Sequence, residues 1–203
     1  MPKIVDWEQK RDEILSATWR VIAREGLSGT TIRAIAKEAK CSQGILSHYF
    51  SDKADILGAA LVLSHRRVAQ RMNERTRGLR GMEALRVVMD EALPLDAQRD
   101  LEAQIEVSFW GRVLSSSELL TLQHSEFDHL LQRLRGHLLE AAELGELDPG
   151  LDVDVAAHEL VMLIDGLSVE RVLYPTMVPP ERQLALLDRM LEGFMVREAP
   201  VAR

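Results

Sequence analysis

Apolar residues recur at steps of three and four along most of the chain, and the runs are cut by Gly, Pro and hydroxyl residues. That period predicts helices throughout and no strands. The first predicted helix, Trp7 to Glu25, gathers Ile14, Leu15, Thr18, Val21 and Ile22 on one side and charges on the other, and Gly26 ends it as a left-handed C-terminal residue. Thr30 or Thr31 caps a second helix whose buried stripe is Ile32, Ile35, Ala36 and Ala39, while Arg33, Lys37 and Lys40 project outward. After a tight turn at Cys41 and Ser42, a short third helix runs from Gln43 to Phe50. It points Leu46 and Phe50 inward, sets Tyr49 at their edge, and leaves Gln43, Gly44, Ile45, Ser47 and His48 outside.

Asp52 caps a fourth helix that reaches about Arg77. Leu57, Leu61 and Val68 share one side of it, and Arg66, Arg67, Arg71, Arg75 and Arg77 make its end basic. Gly78 and Gly81 mark a boundary. Five further helices are predicted: Met82 to Leu93, Asp96 to about Ser115, Glu118 to Leu144, Asp152 to Tyr174, and Pro180 to about Val196. The fold class is all-α, with about nine helices.

Composition and charge sharpen this picture. The single cysteine, Cys41, rules out an internal disulfide and suits a reducing compartment. The N-terminal stretch has no signal-peptide core, and no apolar run approaches the roughly 18 residues that cross a membrane. No membrane partner is expected, and the expected location is cytoplasmic. The net charge of −7 would argue against nucleic acid if it were evenly spread, but residues 1–80 carry +6 and residues 81–203 carry −13. A basic first part joined to an acidic remainder is what one phosphate-facing domain would produce.

Two helices joined by a tight turn can be bundle packing alone. The local basic surplus and the exposed Gln-Gly-Ile-x-Ser-His surface favour DNA. A short helix entering the major groove would let Gln43 pair with adenine, Ile45 pack on a thymine methyl, and Ser47 and His48 donate or accept. Gly44 would let the backbone come close. Lys53, with the free amides that open the fourth helix, would hold one phosphate, and Thr31 and Arg33 another. Ser42 caps the reading helix.

Residues 30–57 read T-T-I-R-x-I-A-x-x-A-x-C-S-x-G-I-L-S-H-Y-F-x-x-K-x-x-I-L, which resembles the DNA-binding domain of the TetR family of transcriptional regulators. The resemblance implies an all-helical dimer in which three N-terminal helices bind operator DNA and the remaining helices form a ligand pocket and a four-helix dimer interface. It divides the chain into a helix-turn-helix domain at 1–51 and a ligand-binding and dimerisation domain at 52–203, with the helix at 52–77 linking them, and adds Tyr49 to the DNA-facing set. Two positions depart from the pattern: Lys40 replaces a glycine common in the turn, adding charge and conformational strain, and Ser47 replaces a tyrosine often found in the reading helix. The run G-I-L-S-H-Y-F, with LPLD at 93–96, SFW at 108–110 and PPERQLALLD at 179–188, is similar to the branch of choline-responsive BetI regulators.

A quaternary ammonium site needs aromatic faces and a nearby carboxylate. The C-terminal part offers Phe109, Trp110, Phe127 and Tyr174, with Glu106 one turn before Trp110. Four aromatics over so long a stretch favour instead a generally apolar pocket lined by Met89, Trp110, Phe127, Met162 and Leu163, with His124 and Asp165 as polar anchors. No cofactor, metal spacing or catalytic set emerges, so an enzyme is not expected. The arginine-rich end of the fourth helix reads as a solvated face. The helices at 152–174 and 180–196 carry more apolar surface than one core uses, which predicts a homodimer through them. The combined expectation is a homodimeric regulator, a repressor on a palindromic operator in double-stranded DNA that a small-molecule effector releases. The alternative is a TetR-like helical binding module without operator binding.

Overall fold

A computed structural model describes residues 7–113 and 116–196. Those residues form nine helices: α1 (Trp7–Gly29), α2 (Ile32–Glu38), α3 (Gln43–Tyr49), α4 (Lys53–Arg75), α5 (Gly81–Ala92), α6 (Ala97–Val113), α7 (Ser117–Glu143), α8 (Val153–Leu173) and α9 (Pro180–Phe194). The predicted end of the sixth helix at Ser115 lies outside the described residues. Among the described residues the only β-type pairing is an isolated bridge between Leu147 and Met195. No described helix is long and apolar enough to cross a membrane. The chain divides into two compact units, Met1–Arg67 and Val68–Arg203, and the division falls inside α4.

In the first unit, Gly26 takes φ 69° and breaks α1, so that a short helical segment continues to Gly29. Ile14, Leu15, Val21 and Ile22 of α1 are buried, as are Ile35 of α2, Leu46 of α3, Phe50, and Ile56, Leu57 and Leu61 of α4. Each large aliphatic side chain sealed in this way stabilises the unit by about 1.5–3 kcal/mol. Polar side chains register the packing: the Trp19 indole N–H donates to the Ala60 carbonyl at 3.1 Å. Arg20 and Arg24 of α1 both reach Glu38 at the end of α2, at 2.7 and 3.1 Å.

The second unit has its own core, built from Met72 of α4, Leu85, Val88 and Met89 of α5, Leu134 and Leu138 of α7, Leu160 and Ile164 of α8, and Leu187, Leu191 and Phe194 of α9. Gln183 is fully buried, and its side-chain amide donates to the carbonyls of Pro94 and Val178, both at 3.1 Å. One polar side chain of α9 thus ties the α5–α6 link to the α8–α9 link.

The basic end of α4 differs from its predicted role. Arg66 and Arg77 are exposed. Arg67 lies over the Trp19 ring at 5.3 Å and donates to Ser16. Arg71 pairs with Glu91 of α5 at 2.8 Å and with Glu102 of α6 through two hydrogen bonds, at 2.8 and 2.6 Å, and Arg75 also binds Glu91. Both carboxylates are buried. Burial alone would push the Glu91 carboxyl up, but the Arg71 and Arg75 guanidinium groups outweigh it and hold the carboxyl below its ordinary value. The partners lie one and two helices further along the chain, which is why the period of α4 alone suggested a solvated face.

Candidate nucleic-acid interface and effector site

The reading helix is placed by caps and a turn. Thr31 caps α2, its hydroxyl accepting from the Ala34 N–H at 3.1 Å, whereas Thr30 is buried and donates to the Gly26 carbonyl at 2.8 Å. At the other end of α2, the Cys41 N–H donates to Ala36 at 3.0 Å and the Lys40 N–H to Lys37 at 3.2 Å. This paired closure requires a left-handed residue at the first of its two donors along the chain. Lys40 supplies it at φ 51°, the only non-glycine residue with positive φ among those described. Ser42 then caps α3, accepting from the Ile45 N–H at 3.2 Å.

With Leu46 and Phe50 buried beneath it, α3 turns Gln43, Gly44, Ile45, Ser47 and His48 to solvent. Ile45 is 41% exposed, a cost in water that apolar contact with a thymine methyl would relieve. The Ser47 hydroxyl already donates to the Gln43 carbonyl at 3.2 Å, so toward a base edge it is set to accept. Thr31 and Arg33 are exposed at the start of α2, and Tyr49 and Lys53 are half-buried.

The opening of α4 has the expected Asp52 cap and a second carboxylate besides. Asp52 accepts from the Asp55 N–H at 2.8 Å and Asp55 accepts from the Ser51 N–H at 2.9 Å. Two carboxylates therefore occupy part of that helix end, and any phosphate contact there rests on the Lys53 ammonium more than on free amides. Trp7, which the sequence reading left unassigned, stacks on Tyr49. Nothing in the helical period distinguishes it from an ordinary first-turn residue.

The residues expected around an effector are only partly brought together. On α6, the Trp110 indole N–H donates to Glu106 at 3.0 Å, and Gln123 of α7 donates to the same oxygen at 2.9 Å. Asp165 of α8 is near enough to feel the Glu106 charge. Burial first, and the Glu106 charge second, push its carboxyl up to about 6. Arg171 ties α8 to α6 through two hydrogen bonds to Asp100, at 2.8 and 2.7 Å. Met89, by contrast, is sealed in the core, Phe127 is exposed beside His158, and Met162 is 64% exposed. Among the other candidates, Phe109 is core, Leu163 is half-buried, and Tyr174 and His124 are exposed. One indole edge and two acids come together here rather than a four-sided cage. Gln123 was missed because a glutamine within a helical period carries no signal of its partner.

Along α8, Val155, His158, Met162, Gly166 and Leu173 are exposed at helical spacing, and Ala185, Leu186 and Gly193 are exposed on α9. Among the described residues no group of three or more His, Cys, Asp or Glu side chains is placed to hold a metal ion.

Both parts of the chain match known protein families. Residues 14–60 match the family model for bacterial regulatory proteins of the tetR family, and residues 81–196 match that for the C-terminal part of BetI-type transcriptional repressors. The HTH-type transcriptional regulator PksA of Bacillus subtilis is 30% identical over 199 residues, covering 98% of this chain and 96% of its own. The regulator BetI of Burkholderia lata is 32% identical over 176 residues, covering 82% and 84%. Among solved structures, a transcriptional regulator from Rhodococcus sp. Rha1 superposes with TM-score 0.79 at 28% identity, over 93% of this chain and 99% of that one. A transcriptional regulator from Saccharomonospora viridis, in complex with choline, superposes with TM-score 0.86 at 23% identity, over 94% and 100%.

Proposed function

Since this chain belongs to the TetR family of bacterial transcriptional regulators, with a BetI-type C-terminal part, we propose that it is a homodimeric repressor whose α3 reads a palindromic operator and whose effector is a small cation. The observation that carries the DNA-reading half is the seating of α3: Leu46 and Phe50 are buried while five neighbouring residues, Ile45 among them, face water. Gln43 and Ile45 are the base-reading pair, Ser47 and His48 supplement them, and Thr31, Arg33, Tyr49 and Lys53 bind backbone. Two copies join through the exposed stripes of α8 and α9, where Ala185 and Gly193 let a partner helix come close. This closed two-fold pairing sets two reading helices in successive major grooves. The site of action is the cytoplasm, where the DNA is.

The effector reading rests on Glu106, Asp165 and Trp110. Two acids in part-buried surroundings beside an indole favour a cation over a neutral or anionic ligand. The choline complex of the Saccharomonospora viridis regulator supports the same ligand class. Binding of the cation releases DNA only if it prefers the dimer geometry that misplaces the reading helices.

Gel-shift titration with DNA from upstream of the protein's own gene tests this. Lys53→Ala weakens binding to every sequence alike, whereas Gln43→Ala changes the preferred sequence and costs about 1–3 kcal/mol on the native one. Indifference to sequence in the unsubstituted protein would leave the helical binding module without operator binding as the better reading.

A further inference from the structure

The indole of Trp7, in the first turn of α1, lies against the ring of Tyr49, the last residue of α3, with centroids 4.1 Å apart and planes 29° from parallel. It meets His48 edge-on at 5.1 Å and 76°. His48 in turn stands edge-on to Tyr49 at 5.8 Å and 86°, so the three rings close on one another. One turn along α1, the Arg11 guanidinium covers the Phe50 ring at 5.1 Å. Three consecutive residues at the end of the reading helix are each met by a side chain from the opening of α1.

The core does not require this arrangement. Leu46 and Phe50 already seat α3, and Trp7 remains 47% exposed. Its one extensive partner is a tyrosine that is half-buried beside His48 on the reading surface. A tyrosine at a helix end that must make a contact through its polar tip loses rotamer freedom when it does so. A ring stacked on its face beforehand removes part of that loss.

We propose that Trp7 is a positioning residue for DNA binding: its stacking holds Tyr49, with His48 as the side wall, in the conformation that meets the DNA. The inference rests on the operator-binding reading given above. Aromatic pairing and one pre-ordered side chain together correspond to roughly a tenfold change in affinity.

The test is fluorescence polarisation with the full chain and its own upstream DNA, comparing Trp7→Ala, Trp7→Phe, Trp7→Leu, Tyr49→Ala and the Trp7→Ala/Tyr49→Ala double variant. Trp7→Ala weakens binding roughly tenfold, Trp7→Phe restores it to within about threefold because a flat ring remains, and Trp7→Leu does not. On the Tyr49→Ala background, Trp7→Ala adds less than about twofold, since its effect passes through the missing ring. Thermal midpoints of Trp7→Phe and Trp7→Leu separate positioning from folding, because both keep apolar bulk and only the first keeps the stack. Unchanged binding by Trp7→Ala overturns the proposal, as does a full additive loss in the double variant, which would mean that Trp7 acts independently of Tyr49. Equal binding by Phe and Leu variants overturns it too. Absence of specific binding by the unsubstituted protein removes the operator reading itself, and this inference with it; specific binding by that protein leaves only the role of Trp7 at issue.

Discussion

Lys40 and Gly145 hold the same backbone position in two equivalent helix closures. At the end of α7 the Glu146 N–H donates to Ala141 and the Gly145 N–H to Ala142, with Gly145 at φ 74°. At the end of α2 the same pair of bonds surrounds Lys40 at φ 51°. A side chain there costs about 1–2 kcal/mol against the left-handed conformation, partly offset by the backbone freedom that glycine loses on folding. Lys40→Gly is therefore expected to stabilise the protein by about 0.5–1 kcal/mol, read as a higher urea midpoint. This strain was legible through the family resemblance, because Lys40 stands in the turn where the family commonly carries a glycine. Asp165 was only half legible: its place in a helical period was clear, but its burial beside Glu106 was not. Its carboxyl, ordinarily near 3.8, stands at about 6 in the fold. The folded state thus holds the proton more tightly, and stability falls as pH rises between those values. Asp165→Asn removes that loss, so its melting temperature should exceed that of the unsubstituted protein above pH 7. The difference should shrink as pH falls through 6 toward 4.

At the scale of elements, helices bounded by chemistry were legible to within a residue or two. Asp152 caps α8 by accepting from the Asp154 and Val155 N–H groups, and Pro180 opens α9 as predicted. What the period could not supply was which elements meet. Arg71 of α4 is held by Glu91 of α5 and Glu102 of α6, so α4 is fastened to two helices through one guanidinium. Arg71→Ala leaves two buried carboxylates without their main counter-charge and is expected to cost about 3–5 kcal/mol in a denaturation experiment. The sign with pH follows from Glu91, whose carboxyl lies below its ordinary value of 4.5 in the fold. That stabilisation is present above the ordinary value and is lost as pH falls through the lowered one, so Arg71→Ala should flatten the acid limb of the stability curve. The candidate effector site was blurred for the same reason: Trp110 and Glu106 share a helix face and were read together, whereas Gln123 and Asp165 come near Glu106 from α7 and α8.

At the scale of the whole molecule, the charge split and the surplus apolar surface are the properties that composition along the chain made visible. The basic surplus lies in the stretch that carries α3, and the acidic remainder carries the residues proposed to hold the effector. Met162 and Leu173 stand on the exposed stripe of α8, where apolar side chains in water favour a partner. Replacing both with glutamate is expected to shift the protein from dimer to monomer in sedimentation and to abolish high-affinity operator binding, because a single reading helix engages only one half-site. The most direct measurement is fluorescence polarisation of a labelled duplex from the protein's own upstream region against a scrambled duplex of equal length, over a series of salt concentrations. A dimeric operator-reading repressor binds its own duplex at least about a thousandfold more tightly, as two chains per site, with affinity falling steeply as salt rises. Equal affinity for the two duplexes would contradict it.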